Sequence, residues 1–239
     1  MYGYGYGYYN LFEPTMILVL IGVVLSMIAS SKVQSTYAKY SRVRSMTGMT
    51  GAETAKRLLN SQGIYDVQVR RVAGNLTDHY DPRSKTVNLS ESVYDSASVA
   101  AIGVAAHECG HAIQDNTEYV PLKVRGAIVP VVNIGTQLSW PMIILGIFIG
   151  GAGSPLVQIG ILLFTLCVLF QLVTLPVEFN ASSRAVKLLD ETGILSGEEV
   201  GYTKNVLGAA ALTYVAAAAG SILQLLRLLI LFGGRRDDR

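Results

Sequence analysis

Charge is scarce in this chain of 239 residues. Only 15% are Asp, Glu, Lys or Arg, while 51% are hydrophobic. A chain so apolar is not an ordinary soluble domain. Its net charge of +2 gives no footing for a nucleic-acid partner. Cysteine is scarcer still. Cys109 and Cys167 are the two present, too few for a disulfide framework, and both read as buried, reduced thiols without a redox role. The chain has three histidines, and two of them fall within one pentapeptide.

That pentapeptide is His107-Glu108-Cys109-Gly110-His111, an H-E-x-x-H pattern in a stretch that reads as helical from Ser96 to Gln114. Residues i and i+4 of a helix share a face. His107 and His111 can therefore aim two imidazole nitrogens at one metal ion, and Glu108 can reach a water beside it. Zinc hydrolysis needs this set: two neutral His ligands, a third protein ligand, an open position and a carboxylate base. The run Val99 to Ala106 is built of small and aliphatic residues and suits tight packing. Gly110 costs about 1 kcal/mol of helix propensity, so a close contact is its expected reason.

The apolar runs organise the rest. Residues 1–13 begin as a Tyr/Gly alternation and read as a flexible extension. Residues 14–31 read as a first transmembrane helix, with Lys32, Lys39, Arg42 and Arg44 after it. By the positive-inside rule the N-terminus is then external and the following part cytoplasmic. Residues 32–120 form that polar part. Thr50-Gly51-Ala52-Glu53 reads as a capping box opening a helix that Gly63 closes. Short strands are expected at 66–72 and 86–89, with a turn at Asp81-Pro82 and Ser90 capping the approach to the metal helix. They would make a small hairpin or sheet whose edge could bind an extended peptide.

Residues 121–175 read as a membrane hairpin, with spans near 127–149 and 156–174 joined by Gly150 to Pro155 and an interruption near Pro141. Residues 176–205 would hold a new helix with Pro176 in its first turn. Residues 206–232 are apolar and Ala-rich, and could be a fourth span or pack on the metal helix. Arg227, Arg235 and Arg236 speak against a simple crossing. Residues 233–239 form a charged tail. The fold class is thus a mainly α integral membrane protein: an H-E-x-x-H helix of zincin type, a small β hairpin or sheet, and three to four transmembrane helices.

A third ligand is needed. No third His follows at close spacing, and the downstream acidic residues are many. Glu178 stands out because it follows the membrane hairpin and precedes Ala181 and Ser182, small enough to let its helix lie against the metal helix. His79, in the polar stretch Asp78-His79-Tyr80-Asp81, is the competing ligand, or a residue of the substrate cleft.

Three segments together resemble the YugP-like neutral zinc metallopeptidases of bacterial membranes: Leu76-Thr77-Asp78-His79-Tyr80-Asp81-Pro82, His107 to Gln114, and Glu178-Phe179-Asn180-Ala181-Ser182-Ser183-Arg184-Ala185. The resemblance covers nearly all of the chain after residue 10. This family is in turn similar to the HtpX and CAAX prenyl proteases. In those, a helix bearing E-x-x-A-D follows the hairpin and its Glu is the third zinc ligand. The resemblance implies that His107, His111 and Glu178 hold one Zn2+ per chain and that Glu108 is the general base. Ser182 stands where the distant relatives carry Asp, so the bond that Asp makes would fall to Asn180 or Ser183. His79, Arg184 and Tyr214 are candidates for stabilising the oxyanion. The expected activity is zinc-dependent endopeptidase action on a protein or peptide substrate, in a multi-pass protein of the bacterial cell membrane whose site faces the cytoplasm. The rival readings are an adaptor that keeps zinc only for structure, and an intramembrane protease of the site-2 type. Against the second, polar residues (Glu91, Asp95 and Asp115) flank the metal helix.

Overall fold

The computed structural model describes residues 13–233. The Tyr/Gly extension, apart from Glu13, and the charged tail, apart from Gly233, lie outside the described residues. The chain runs through α1 (Met16–Tyr40), α2 (Gly51–Ser61), β1 (Gln68–Val72), β2 (His79–Asp81), β3 (Thr86–Ser90), α3 (Glu91–Tyr94), α4 (Val99–Asn116), α5 (Val120–Gly150), α6 (Pro155–Glu191) and α7 (Glu198–Phe232).

Among the described residues, four helices are long and apolar enough to cross a membrane: α1, α5, α6 and α7. A bilayer core of about 30 Å needs roughly 20 helical residues, and these helices have 25, 31, 37 and 35. They carry many exposed large apolar side chains, such as Ile28, Phe148, Leu162 and Ile230, as a lipid solvent allows. The core of the polar part lies elsewhere, where α2, β3, α4 and the end of α6 bury Leu58, Val87, Leu89, Ile102 and Leu189.

One expectation about the membrane part is corrected. Pro176 does not open a new helix. It lies inside α6, which continues without a break from Pro155 to Glu191, and Pro130 and Pro141 likewise lie inside α5. A proline removes one backbone donor, but lipid offers the chain no other partner, so the helix persists. The stretch 176–205 is accordingly the end of α6, a short turn and the start of α7. The two alternatives expected for residues 206–232, a fourth span or packing on the metal helix, do not exclude each other, for α7 is long and apolar enough to cross a membrane. Near its start α7 packs on the metal helix, where a Cβ on Gly103 would meet Thr203 Cγ2 at 3.0 Å. Beyond that, α7 runs antiparallel to α1. Asn205 Nδ2 donates to Tyr40 Oη at 3.0 Å, a Cβ on Gly22 would meet Gly220 Cα at 3.1 Å, and Arg227 pairs with Glu13 at 4.0 Å. The charge of Arg227 is thus answered by a carboxylate beyond the start of α1. Small residues set the α5–α6 contact in the same way: a Cβ on Gly160 would lie 2.8 Å from Ser139 O.

In the polar part the capping box forms as the sequence requires, with Glu53 N donating to Thr50 Oγ1 and Thr50 N to Glu53 Oε2. Thr50 N and Thr50 Oγ1, both donating to Oε2, hold the Glu53 carboxyl below its ordinary range. The sheet has three strands in the order β1-β3-β2. The two expected strands are there, but β1 and β3 pair in parallel, Gln68 with Thr86. The hairpin is instead β2–β3, antiparallel, with Tyr80 opposite Val87. β2 escapes sequence reading because it is three residues long, too short to show alternation, and Tyr80 is its only residue favoured in strands. The turn at Asp81-Pro82 joins it to β3. Ser98, rather than Ser90, caps the metal helix, accepting from Ala101 N at 3.2 Å.

The position of α4 against α6 governs the site. A Cβ on Gly110 would lie 2.6 Å from Ala181 O, so only glycine permits this approach. Gly110→Ala should overpack the seam and cost about 1–3 kcal/mol, read as a lowered thermal midpoint of the detergent-solubilised protein. An unchanged midpoint would contradict the tight contact.

Candidate metal centre

α4 carries His107 and His111 one turn apart, their rings edge to face with centroids 4.8 Å apart. α6 brings in Glu178, which is buried. Glu178 Oε2 lies 3.3 Å from His107 Nε2 and 3.6 Å from His111 Nε2. These three form a group whose ligand atoms all lie within 4.8 Å of one another. The second carboxylate oxygen, Oε1, accepts from Arg125 Nη1 at 3.2 Å.

Hydrogen bonds fix the free lone pairs. Gln114 Nε2 donates to Val177 O at 2.8 Å and to Asn180 Oδ1 at 3.0 Å. Its Oε1 therefore faces His111 Nδ1, at 3.0 Å, and must accept the N–H there. In the neutral ring the lone pair of His111 is then on Nε2, aimed at Glu178. His107 Nδ1 lies 3.1 Å from Ser182 Oγ, which can accept its N–H in the same way. Glu178 Oε2 is buried and finds no hydrogen-bond partner among the described residues. Acceptors thus converge on one point, and leaving such buried atoms unpaired costs about 1–3 kcal/mol each. A cation resolves the conflict. Two imidazoles and one carboxylate are a donor set that catalytic zinc accepts, with a fourth position left open.

Around this point lies a cavity of about 420 Å³. Glu108 lines it, beside the cluster, together with His79, Tyr80, Asp115, Arg125 and Tyr214. A smaller cavity of about 140 Å³ adjoins the cluster and again includes Glu108 and Tyr214. Two tethers hold the hairpin, one to the metal helix and one across its own open end. Asp115 Oδ2 accepts from Tyr80 Oη at 2.8 Å and from Lys85 Nζ at 2.7 Å, fastening β2–β3 to the metal helix. Asp78 accepts from Ser90 N and Ser90 Oγ at 2.7 and 2.9 Å. Burial pushes the Asp78 carboxyl above its ordinary range, against those two bonds. Burial also pushes the Cys109 thiol up, so it stays protonated and unreactive.

The sequence candidates fall in different places. His107, His111 and Glu178 come together, with Glu108 at their side. His79 lines the cavity but is not in the cluster. Its Nδ1 donates to Thr77 O at 2.9 Å and its Nε2 accepts from Asn88 Nδ2 at 3.2 Å, so both ring nitrogens are engaged. Arg184 lines neither cavity. Its Nε donates to Asn180 Oδ1 at 2.8 Å, behind Gln114. Ser182 itself, not Asn180 or Ser183, meets a cluster imidazole, while Asn180 acts on the other through Gln114. The sequence gives no direct sign of the parts that Gln114 and Arg125 play. The i,i+3 spacing from His111 to Gln114 could have found the first. Arg125 carried no local signal, because its partner lies on another helix.

A family described as "Putative neutral zinc metallopeptidase" matches residues 15–233. A protein of Bacillus subtilis (strain 168) named "Putative membrane protease YugP" is 48% identical over 221 residues, covering 92% of this chain and 97% of that relative. No solved structure matches.

Gln114→Ala should free the His111 ring to rotate and swap tautomer. Support of this kind is worth about 10–100-fold in metal affinity. Competition with a zinc chelator measures it, and an affinity equal to wild type would remove Gln114 from the centre.

Proposed function

This chain belongs to the neutral zinc metallopeptidase family, and on that premise we propose that it is a membrane-embedded zinc endopeptidase with Glu108 as its general base. The observation that carries the proposal is the convergence of His107 Nε2, His111 Nε2 and the unpartnered Glu178 Oε2 beside Glu108 and an open cavity.

His107, His111 and Glu178 would hold one zinc ion. When bound, zinc supplies Lewis acidity toward a water and a carbonyl oxygen. The remaining work falls to side chains. Glu108 accepts the proton of the attacking water and passes it to the leaving amine nitrogen. Tyr214, which lines both cavities, is placed to donate to the oxygen that gains charge. His79 has both ring nitrogens engaged and shapes the cavity wall. Arg125 holds Glu178 Oε1 and so turns Oε2 toward the imidazoles. Arg184 acts through Asn180 and Gln114 as a positioning residue. β2 has one unpaired edge in the order β1-β3-β2, and its residues His79 and Tyr80 line the cavity. An extended substrate can pair with that edge, its backbone hydrogen bonds giving affinity. Two cavities border the cluster and share His107, Glu108 and Tyr214, which leaves room for more than one substrate residue beside it. The basic residues Lys32, Lys39, Arg42 and Arg44 support a site on the cytoplasmic face of the bacterial membrane.

Glu108→Gln should keep its zinc and lose about 10²–10⁴-fold in turnover, whereas Glu178→Ala should lose both. Zinc content and casein cleavage by detergent-purified protein, with and without chelator, measure these outcomes. Loss of zinc in Glu108→Gln, or full activity in Glu178→Ala, would overturn the assignment.

A further inference from the structure

The smaller cavity differs in kind from the larger one. Leu76, Val104, Leu207, Ala210 and Ala211 wall it with apolar surface, and His107, Glu108 and Tyr214 line it as well. Its volume is about 140 Å³. An apolar cavity of roughly 150 Å³ is the size that accepts benzene. We infer that this cavity receives one substrate side chain next to the scissile bond, and that the protein selects peptides with leucine, isoleucine, methionine or phenylalanine there. The inference rests on the peptidase reading above.

The placement follows from shared walls. His107 and Glu108 line both cavities, so a group seated in the smaller one lies within a side chain's length of the reacting carbonyl. Charge narrows the choice. Asp78, Glu108 and Glu178 all border this space and would repel an acidic side chain. A lysine would bring its ammonium to Glu108 and pair with the base that must stay free. Size narrows it further. Ala210 and Ala211 on α7 line the cavity with methyl groups only. Leu76 lines it from the loop between β1 and β2, where it is exposed and held at φ +53°.

Those two walls give opposite tests. Ala210→Leu reduces the cavity volume. Leu76→Gly enlarges it, and glycine adopts a positive φ without strain, so the fold is retained. Peptides of one sequence would be varied in turn at each position flanking the cut: Ala, Val, Leu, Phe, Trp, Asp and Lys. Two quantities are read. One is kcat/KM of the zinc-loaded wild type and of both variants. The other is binding of the same peptides to zinc-loaded Glu108→Gln protein, alone and with each wall variant. At one flanking position the wild type should favour Leu and Phe over Ala and Asp by about tenfold or more. Ala210→Leu should move the optimum to Ala and Val, and Leu76→Gly should move it to Phe and Trp. An order of preference that is the same in all three proteins, Asp bound as well as Leu, or no binding of any peptide would overturn the inference. If the peptides bind in the expected order but zinc-loaded wild type cuts none, the pocket stands and the peptidase reading falls.

Discussion

The approach of Gly110 to Ala181 is the constraint on which the rest of this structure depends. Two imidazoles on α4 and one carboxylate on α6 can converge only if the two helix backbones nearly touch. Any Cβ at position 110 would strike the carbonyl of residue 181. The loss of helix propensity at Gly110, about 1 kcal/mol, is offset by a contact that no other residue allows. Ala181 on the facing helix and the small residues before His107 extend the same seam.

Given that contact, the polar side chains near it follow one electrostatic logic. Each imidazole has its Nδ1 occupied, by Ser182 in one case and Gln114 in the other, and each Nε2 is thereby turned inward. Gln114 is held by Val177 O and Asn180, and Asn180 by Arg184. Arg125 occupies the outer oxygen of Glu178. Acceptors are left facing one another at a single point, in a buried setting where this is costly unless a cation joins them. The polar residues around the cluster are therefore constraints on proton and lone-pair positions as much as sources of stability.

What could be read from the sequence was what is local. The i,i+4 histidines, the Thr50–Glu53 capping box and the long apolar runs each lie within a few turns of chain, and each has its own physical signature. Glu178 could be singled out because a membrane hairpin and two small residues frame it. β2 could not, because a stretch of three residues with one strand former becomes a strand only through pairing with β3. The continuity of α6 through Pro176 was missed because proline is a helix breaker in water and is tolerated in lipid. The pairing of Arg227 with Glu13 and of Arg125 with Glu178 joins residues far apart in the chain. The sequence shows only charges that look out of place, and the packing of α7 on α1 and of α5 on α6 supplies their partners.

The order of these parts along the chain has a consequence for timing. His107 and His111 precede α5, while Glu178 follows the membrane stretch of α6. During synthesis the two histidines emerge first, and the carboxylate follows only after α5 and the first part of α6 have been made. A nascent chain that ends before α6 holds two of the three groups. On the reading proposed above, a half-made chain would therefore lack a ligand, with no need of a separate inhibitory segment.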